Sequence, residues 1–391
     1  MSRTEAVVDL AAIRSNVETL RAGTSAELMA VVKADGYGHG LLPSARAALA
    51  GGASWLGVAI IDEALQLRAA GIEAPILAWL WTPSEAETVG AAIQAGVDIN
   101  VNSLWALRVV ISQARRVGLP ARVHLKIDTG LSRNGAYVTD WPEVVRAAAT
   151  AEADGYVEAV GIWSHFAYAD EPGNPTIALQ VDNFHQALDL AARDGVVPRV
   201  RHLANSAATL TLPETHFDLV RPGIAIYGLS PVPGELGDFG LTPAMTLRAE
   251  LASVKRVSAG EGVSYGHAYI TKSETTLALV PLGYADGVPR NATNLGPLQI
   301  NGQRYQISGR VCMDQFVVDI GAGRAEAGDH AVLFGSGAGG EPTAQDWADA
   351  LGTIHYEIVT RIGVRVPRTY VDADRPASES STDLVEQVAH G

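Results

Sequence analysis

Trp55-Leu56-Gly57-Val58-Ala59-Ile60 runs directly into Ile61-Asp62-Glu63-Ala64-Leu65-Gln66-Leu67-Arg68-Ala69-Ala70-Gly71. The opening run, apolar and rich in β-branched residues, reads as a short strand. The stretch after it reads as a helix: its carboxylates stand at the start, where the helix dipole favours negative charge, and it ends on a glycine able to take the αL cap. Together they make one βα unit. Comparable strand-like runs stand at 28–33, 75–80, 97–101, 122–127, 157–163, 200–204 and 216–220, with Ala- and Leu-rich stretches between them. Eight βα units in about 230 residues predict a closed (β/α)8 TIM-type barrel rather than an open doubly wound sheet.

The rhythm changes near Leu241, after a Pro/Gly-rich loop at 230–240. Strands are expected at 245–257, 275–281, 298–307, 315–320 and 330–334, with glycines between them. Two helices at 343–351 and 354–361 then precede a strand at 368–371. The division expected is an α/β barrel at 1–240, a mostly β C-terminal domain at 241–373 and a Ser/Asp/Glu-rich tail at 374–391 that is mobile.

A 391-residue chain that is 47% hydrophobic can bury a large core, and its net charge of −14 repels phosphate backbones and anionic lipid. With no Lys/Arg block anywhere, neither nucleic acid nor a membrane surface is an expected partner. Glu5 and Asp9 interrupt what would have to be the apolar core of a signal peptide, so the expected location is the cytoplasm. Cys312 is the only cysteine, which excludes an intrachain disulfide and a multi-cysteine metal site, and no metal is called for. Its place in the alternating stretch 310–318 suggests a packed strand thiol.

In a barrel the chemistry sits where strands end. Lys33, Arg133, His165, Asn205 with Ser206, and Arg221 all fall at or just past predicted strand ends. Any one of them could be a strand running into a polar loop; five together are harder to dismiss. The most specific stretch is Val31-Val32-Lys33-Ala34-Asp35-Gly36-Tyr37-Gly38-His39-Gly40. A lysine closing a buried strand is partly desolvated, which lowers its pKa and makes its amine usable for Schiff-base chemistry. The glycines beside it let backbone approach a ligand closely.

This decapeptide resembles the cofactor-lysine motif of alanine racemases, although the family more often has Ala at the place of Gly36. The resemblance continues in order through His124 to Gly135, Trp163-Ser164-His165-Phe166, Ala204-Asn205-Ser206-Ala207-Ala208, Val220-Arg221-Pro222-Gly223-Ile224-Ala225-Ile226-Tyr227-Gly228, Val263-Ser264-Tyr265-Gly266 and Gly309-Arg310-Val311-Cys312-Met313-Asp314-Gln315. It implies pyridoxal 5'-phosphate as cofactor, alanine as substrate, a head-to-tail homodimer with shared active sites, and D-alanine supply for peptidoglycan. Racemisation needs one acid/base group on each face of the substrate. The resemblance assigns Lys33, which also carries the cofactor as a Schiff base, to the D-face and Tyr265 of a second subunit to the L-face.

The resemblance further implies that Arg221 faces the cofactor's pyridine nitrogen and that His165 links Arg221 to the catalytic tyrosine. Barrels often bind phosphate after strands 7 and 8, where Ser206, Gly223 and Ile224 fall. Tyr37 and Tyr356 match family residues that also reach the phosphate. Arg133 is assigned to the cofactor phenol oxygen and the substrate carboxylate, which the Met313 backbone, with Asp314 beside it, meets from the other subunit. Lys126 corresponds to a lysine carbamylated in many relatives; an ordinary strand lysine paired with an acid is the plainer reading. Leu131 departs from the more usual Met, which puts the packing around Arg133 in question. Other readings are a serine racemase, a barrel-type pyridoxal-phosphate decarboxylase, which generally uses a C-terminal cysteine motif and an acidic partner for the pyridine nitrogen, and a non-enzymatic pyridoxal-phosphate carrier, which lacks a second domain.

Overall fold

The computed structural model describes residues 3–232, 234 and 239–372, so the tail expected at 374–391 lies outside the described residues. The eight expected barrel strands are all present, as Glu27–Val31, Trp55–Val58, Ile76–Ala78, Asp98–Val101, Ala121–Lys126, Val157–Trp163, Val200–His202 and Leu219–Val220. Neighbours pair in parallel in sequence order, and the last strand pairs back onto the first through Glu27 with Leu219 and Leu28 with Val220. The seam between the last two strands is joined by single backbone bonds, Asp218 N–H to Arg201 O (3.1 Å) and Arg221 N–H to Ala204 O (3.0 Å). The result is a near-closed (β/α)8 barrel followed by a mostly β domain.

Met29, Trp55, Leu77, Val160, Val200 and Leu219 come from six different strands and form one fully buried cluster, the apolar filling of the barrel. Each such side chain contributes about 1.5–3 kcal/mol relative to exposure. Two of the helices around it start on side-chain caps of this kind: at Leu104–Val117 Ser103 Oγ accepts from Ala106 N–H, and at Pro175–Arg193 Asn174 accepts from Thr176 N–H, with Pro175 at the first helical position.

The second domain holds a six-stranded sheet in the order Gln303–Gln306, Pro297–Ile300, His330–Phe334, Met245–Glu250, Thr4–Asp9, Arg368–Val371. A three-stranded sheet of Ser253–Val257, Thr275–Val280 and Phe316–Gly321 lies beside it. Thr4–Asp9, which its sequence position groups with the barrel, is thus a central strand of the other sheet, antiparallel to Met245–Glu250 and parallel to Arg368–Val371. Its alternation buries Ala6 and Val8 completely. A segment that precedes the barrel in the chain therefore belongs to the sheet of the other domain.

Three expectations need correction. The single strand expected at 298–307 is a hairpin turned at Asn301 and Gly302, whose φ values of +49° and +78° suit a tight two-residue turn. The run at 245–257 is two strands in different sheets, broken at Leu251, whose N–H bonds to Asp329 O. Cys312 is not a strand thiol. It lies half-buried in the loop before Phe316–Gly321, because Met313, Asp314 and Gln315 are exposed in succession and the loop is tied by Cys312 N–H to Gln315 O (2.9 Å) and Tyr284 N–H to Cys312 O (3.1 Å). Among the described residues no helix is long and apolar enough to cross a membrane.

Candidate active site

Lys33 follows the first barrel strand and opens a left-handed turn. Ala34, Asp35, Gly36 and Tyr37 have φ of +53°, +52°, +61° and +54°. Each non-glycine residue there costs about 1–2 kcal/mol, so the turn persists only because its surroundings hold it. Gly36 N–H bonds to Val32 O (2.8 Å) and Gly38 N–H to Ala34 O (3.0 Å). The buried Glu63 carboxylate accepts from Ala34 N–H (2.6 Å), and Asp35 accepts from Leu41 N–H (2.7 Å). His39 Nδ1 reaches both Gly36 O (3.0 Å) and Tyr37 O (3.1 Å); carbonyls only accept, so Nδ1 carries the proton. A methyl group at Gly36 would lie 2.7 Å from Ser44 Oγ, so the departure from the family's usual Ala fits the packing here.

This turn presents Lys33 and Tyr37 to a cavity of about 380 Å³ at the C-terminal mouth of the barrel. Lys126, Arg133, His165, Ser206, Arg221, Gly223 and Ile224 line it from later strand ends, and Tyr356 closes it from the second-domain helix His355–Thr360. Four cationic side chains meet there and no carboxylate is among the described residues that line it, in a chain whose net charge is −14. Burial, then Arg133, lowers the Lys33 pKa, with Glu63 pulling the other way. Burial, then Arg221 and Arg133, brings Lys126 down to about 7, with its Nζ 4.0 Å from the Trp163 ring centre. Burial raises the pKa of both Tyr37 and Tyr356, which keeps them as hydroxyl donors.

Arg221 is fully enclosed, and burial lowers its pKa to about 9. Its Nη2 donates to Ser164 O (2.9 Å), Leu203 O (3.2 Å) and His165 Nδ1 (3.2 Å). Guanidinium only donates, so His165 Nδ1 is an acceptor; burial and Arg221 hold this imidazole neutral, with its proton on Nε2. Arg133 is placed by the loop after Lys126, in which the Asp128 carboxylate accepts from the N–H groups of Gly130, Leu131 and Ser132 at 2.9–3.1 Å. Ser206 Oγ accepts from Gly223 N–H (2.7 Å), and a Cβ at Gly223 would stand 2.3 Å from the Tyr37 hydroxyl.

Not every expected site residue lies here. Tyr265, 72% exposed, lines a separate groove with Ser264, Cys312 and Gln315 in the second domain. Met313 is also exposed; its carbonyl accepts from Ala285 N–H, and Asp314 pairs with Arg365 at 2.8 Å. None of the three lines the Lys33 cavity. Sequence reasoning missed Glu63 and three buried groups behind Arg221, namely Asp98, His124 and His202. The signal available was a polar residue inside an apolar strand, as in Val123-His124-Leu125.

The buried histidines make a pH prediction. Burial holds the His39 pKa at about 4. The unfolded chain takes its proton near pH 6.5, so the contribution is complete above that pH and is lost towards pH 4, by up to about 3 kcal/mol. His202 and His165, also depressed by burial and Arg221, act in the same direction. Urea unfolding at pH 7 and pH 5 should give a lower midpoint at pH 5, and a His39→Asn variant should lose less. Equal midpoints at the two pH values would refute this.

Two family descriptions match the chain, "Alanine racemase, N-terminal domain" over residues 8–231 and "Alanine racemase, C-terminal domain" over residues 244–370. The chain is 61% identical to an alanine racemase of Salinispora arenicola, covering 96% of this chain and 100% of that protein. It is 52% identical to one of Mycobacterium avium, covering 94% and 95%. The crystal structure of alanine racemase from D-cycloserine-producing Streptomyces lavendulae superposes with a TM-score of 0.93 at 57% identity, covering 95% of this chain and 98% of that one.

Proposed function

The chain belongs to the alanine racemase family and interconverts L- and D-alanine, and we propose that it does so with pyridoxal 5'-phosphate carried on Lys33. One observation carries the cofactor assignment: a desolvated lysine amine in a cavity lined by three further cations and no carboxylate. That charge pattern suits a ligand with a phosphate, a phenol oxygen and a substrate carboxylate to place. The missing Cβ at Gly223 lets the Tyr37 hydroxyl pack against its backbone, and these groups, with Ser206 and Ile224 beside them on the cavity wall, are the ones that would hold the phosphate. Tyr356 supplies a further hydroxyl. When bound, the cofactor supplies an electron sink that makes the substrate α-proton acidic.

The protein's own groups do the rest. Lys33, its pKa lowered chiefly by burial, carries the proton on the D-face of the α-carbon. Tyr265 of a second copy of the chain serves the L-face, a reading supported by its exposure in a groove separate from the Lys33 cavity. The neutral His165 has an Nε2–H free of Arg221 to orient that hydroxyl. Arg221 would face the ring nitrogen of a bound cofactor as a donor that keeps its proton, which would keep the electron sink moderate and favour racemisation over transamination. Arg133 holds the substrate carboxylate, with the Met313 backbone and Asp314 limiting the space from the partner side.

Lys126 stands among Arg133, Arg221 and Lys33, with a pKa near 7 that exposes the free amine needed to add carbon dioxide, release a proton and become a carbamate. A carbamate resonance should appear with 13C-bicarbonate and vanish in Lys126→Ala; an unmodified Lys126 would remove the idea. Gly223→Ala should displace the Tyr37 hydroxyl and weaken cofactor binding by about tenfold or more, at the usual cost of 1–3 kcal/mol for overpacking. Unchanged cofactor affinity in that variant would count against the cradle.

The direct test is borohydride reduction of the purified protein followed by peptide mapping. A pyridoxyl-phosphate label on the peptide that contains Lys33 is expected; a label on another lysine, or none, overturns the assignment. Circular dichroism with both enantiomers of alanine and of serine, run alongside, reads the substrate range.

A further inference from the structure

Asp98, His124 and His202 take no part in the steps above, yet all three are completely buried inside the barrel. They stand on three different strands and form one unbroken line to Arg221. Asp98 Oδ2 lies 3.1 Å from His124 Nε2, His124 Nδ1 lies 2.8 Å from His202 Nε2, and His202 Nδ1 lies 3.2 Å from Arg221 Nη1. Space is reserved for this line: a Cβ at Gly161 would stand 2.3 Å from His124 Nδ1. Trp163 stacks on the His202 ring at 5.5 Å and 6°, and Trp55 meets the edge of His124 at 5.6 Å. At the far end Arg122 grips the Asp98 carboxylate through Nε (2.6 Å) and Nη2 (3.1 Å).

The two ends of the line decide its interior. An ionised carboxylate can only accept hydrogen bonds and a guanidinium can only donate them. Arg221 donates to His202 Nδ1, so that nitrogen is bare and the His202 proton sits on Nε2. His202 Nε2–H donates to His124 Nδ1, so the His124 proton also sits on Nε2 and donates to Asp98. A second proton on either ring would set two N–H groups face to face. Both histidines are therefore neutral, in one tautomer each. Backbone carbonyls and His165 engage Nη2 of Arg221, whereas Nη1 is held by His202.

We propose that Asp98, acting through His124 and His202, is a positioning residue that fixes the tautomers of both histidines and the orientation of the Arg221 guanidinium toward the cavity. This rests on the reading in which Arg221 faces the cofactor ring nitrogen. Asp98→Asn keeps the shape but places an N–H where Arg122 and His124 both need an acceptor. His124 then gains by shifting its proton to Nδ1, His202 follows, and an N–H of His202 is turned against Arg221.

The test uses the full-length protein as purified, with ring-15N-labelled histidine. In the wild type at pH 7, His124 and His202 should each give the signature of a neutral Nε2–H ring; an Nδ1–H or doubly protonated form at either position overturns the proposal, and this readout requires no variant to fold. In Asp98→Asn the His124 and His202 tautomers should invert, and kcat should fall by about tenfold to a hundredfold, as on loss of an orienting partner behind an active-site group, with KM for alanine nearly unchanged. Retained tautomers, or kcat within twofold of wild type, would overturn it equally. Absence of racemisation by the wild type would instead overturn the functional reading, because the tautomers are read without substrate.

Discussion

Lys33→Ala is expected to lower racemisation in both directions by about a thousandfold or more, since the proposed function gives this one side chain both the cofactor and the D-face proton. The other amine in the cavity, Lys126, is held over the Trp163 ring and cannot serve both tasks from there. Among the described residues the Lys33 amine makes no hydrogen bond comparable to those of Glu63 or His39, so the fold should survive, and far-ultraviolet circular dichroism should be unchanged. Added methylamine should restore part of the rate by substituting for the missing amine. A variant that keeps more than a tenth of wild-type kcat would mean that Lys33 is not the anchor.

Tyr265→Phe should cost about a hundredfold to ten-thousandfold in racemisation, the range for loss of a general acid/base group. It removes one exposed hydroxyl, so stability should hardly move. The two half-reactions should separate. In deuterated water the variant should still exchange the α-proton of D-alanine through Lys33, while L-alanine exchange and net inversion are lost. Equal loss of both exchanges would show that Tyr265 is not confined to one face.

The same two variants test where the bases come from. If each site combines Lys33 of one subunit with Tyr265 of the other, mixing and reassembling Lys33→Ala with Tyr265→Phe should restore about a quarter of wild-type activity: half of the dimers are mixed, and each mixed dimer holds one intact site of two. If both bases belonged to one chain, no mixed dimer could contain an intact site and no activity would return.

The barrel was legible because burial repeats locally. A strand such as Trp55–Val58 and the helix Ile61–Ala69 that follows it announce themselves by their own residues, and each of the eight units does so without reference to the others. Boundaries were less legible. The 216–220 run is strand only at Leu219–Val220, since Phe217, at φ +48°, still belongs to the preceding turn. Asn301-Gly302 is a hairpin-turn pair in the sequence itself, yet the strand expected at 298–307 runs across it. Lys33, Arg133, His165, Ser206 and Arg221 could be picked out because strand-end position is itself a local property, and the structure brings them to one cavity.

By itself, then, the sequence determined the alternation of strands and helices, the change to a β domain near Leu241, and the polar residues at the strand ends, because each depends on neighbours within a few residues. Tertiary structure was needed to pair Thr4–Asp9 with Met245–Glu250 across more than two hundred residues, to put Tyr265 in a groove separate from the Lys33 cavity, and to line up Asp98, His124 and His202 behind Arg221. Strand pairing and barrel closure set those distances, and closure is a property of all eight strands at once.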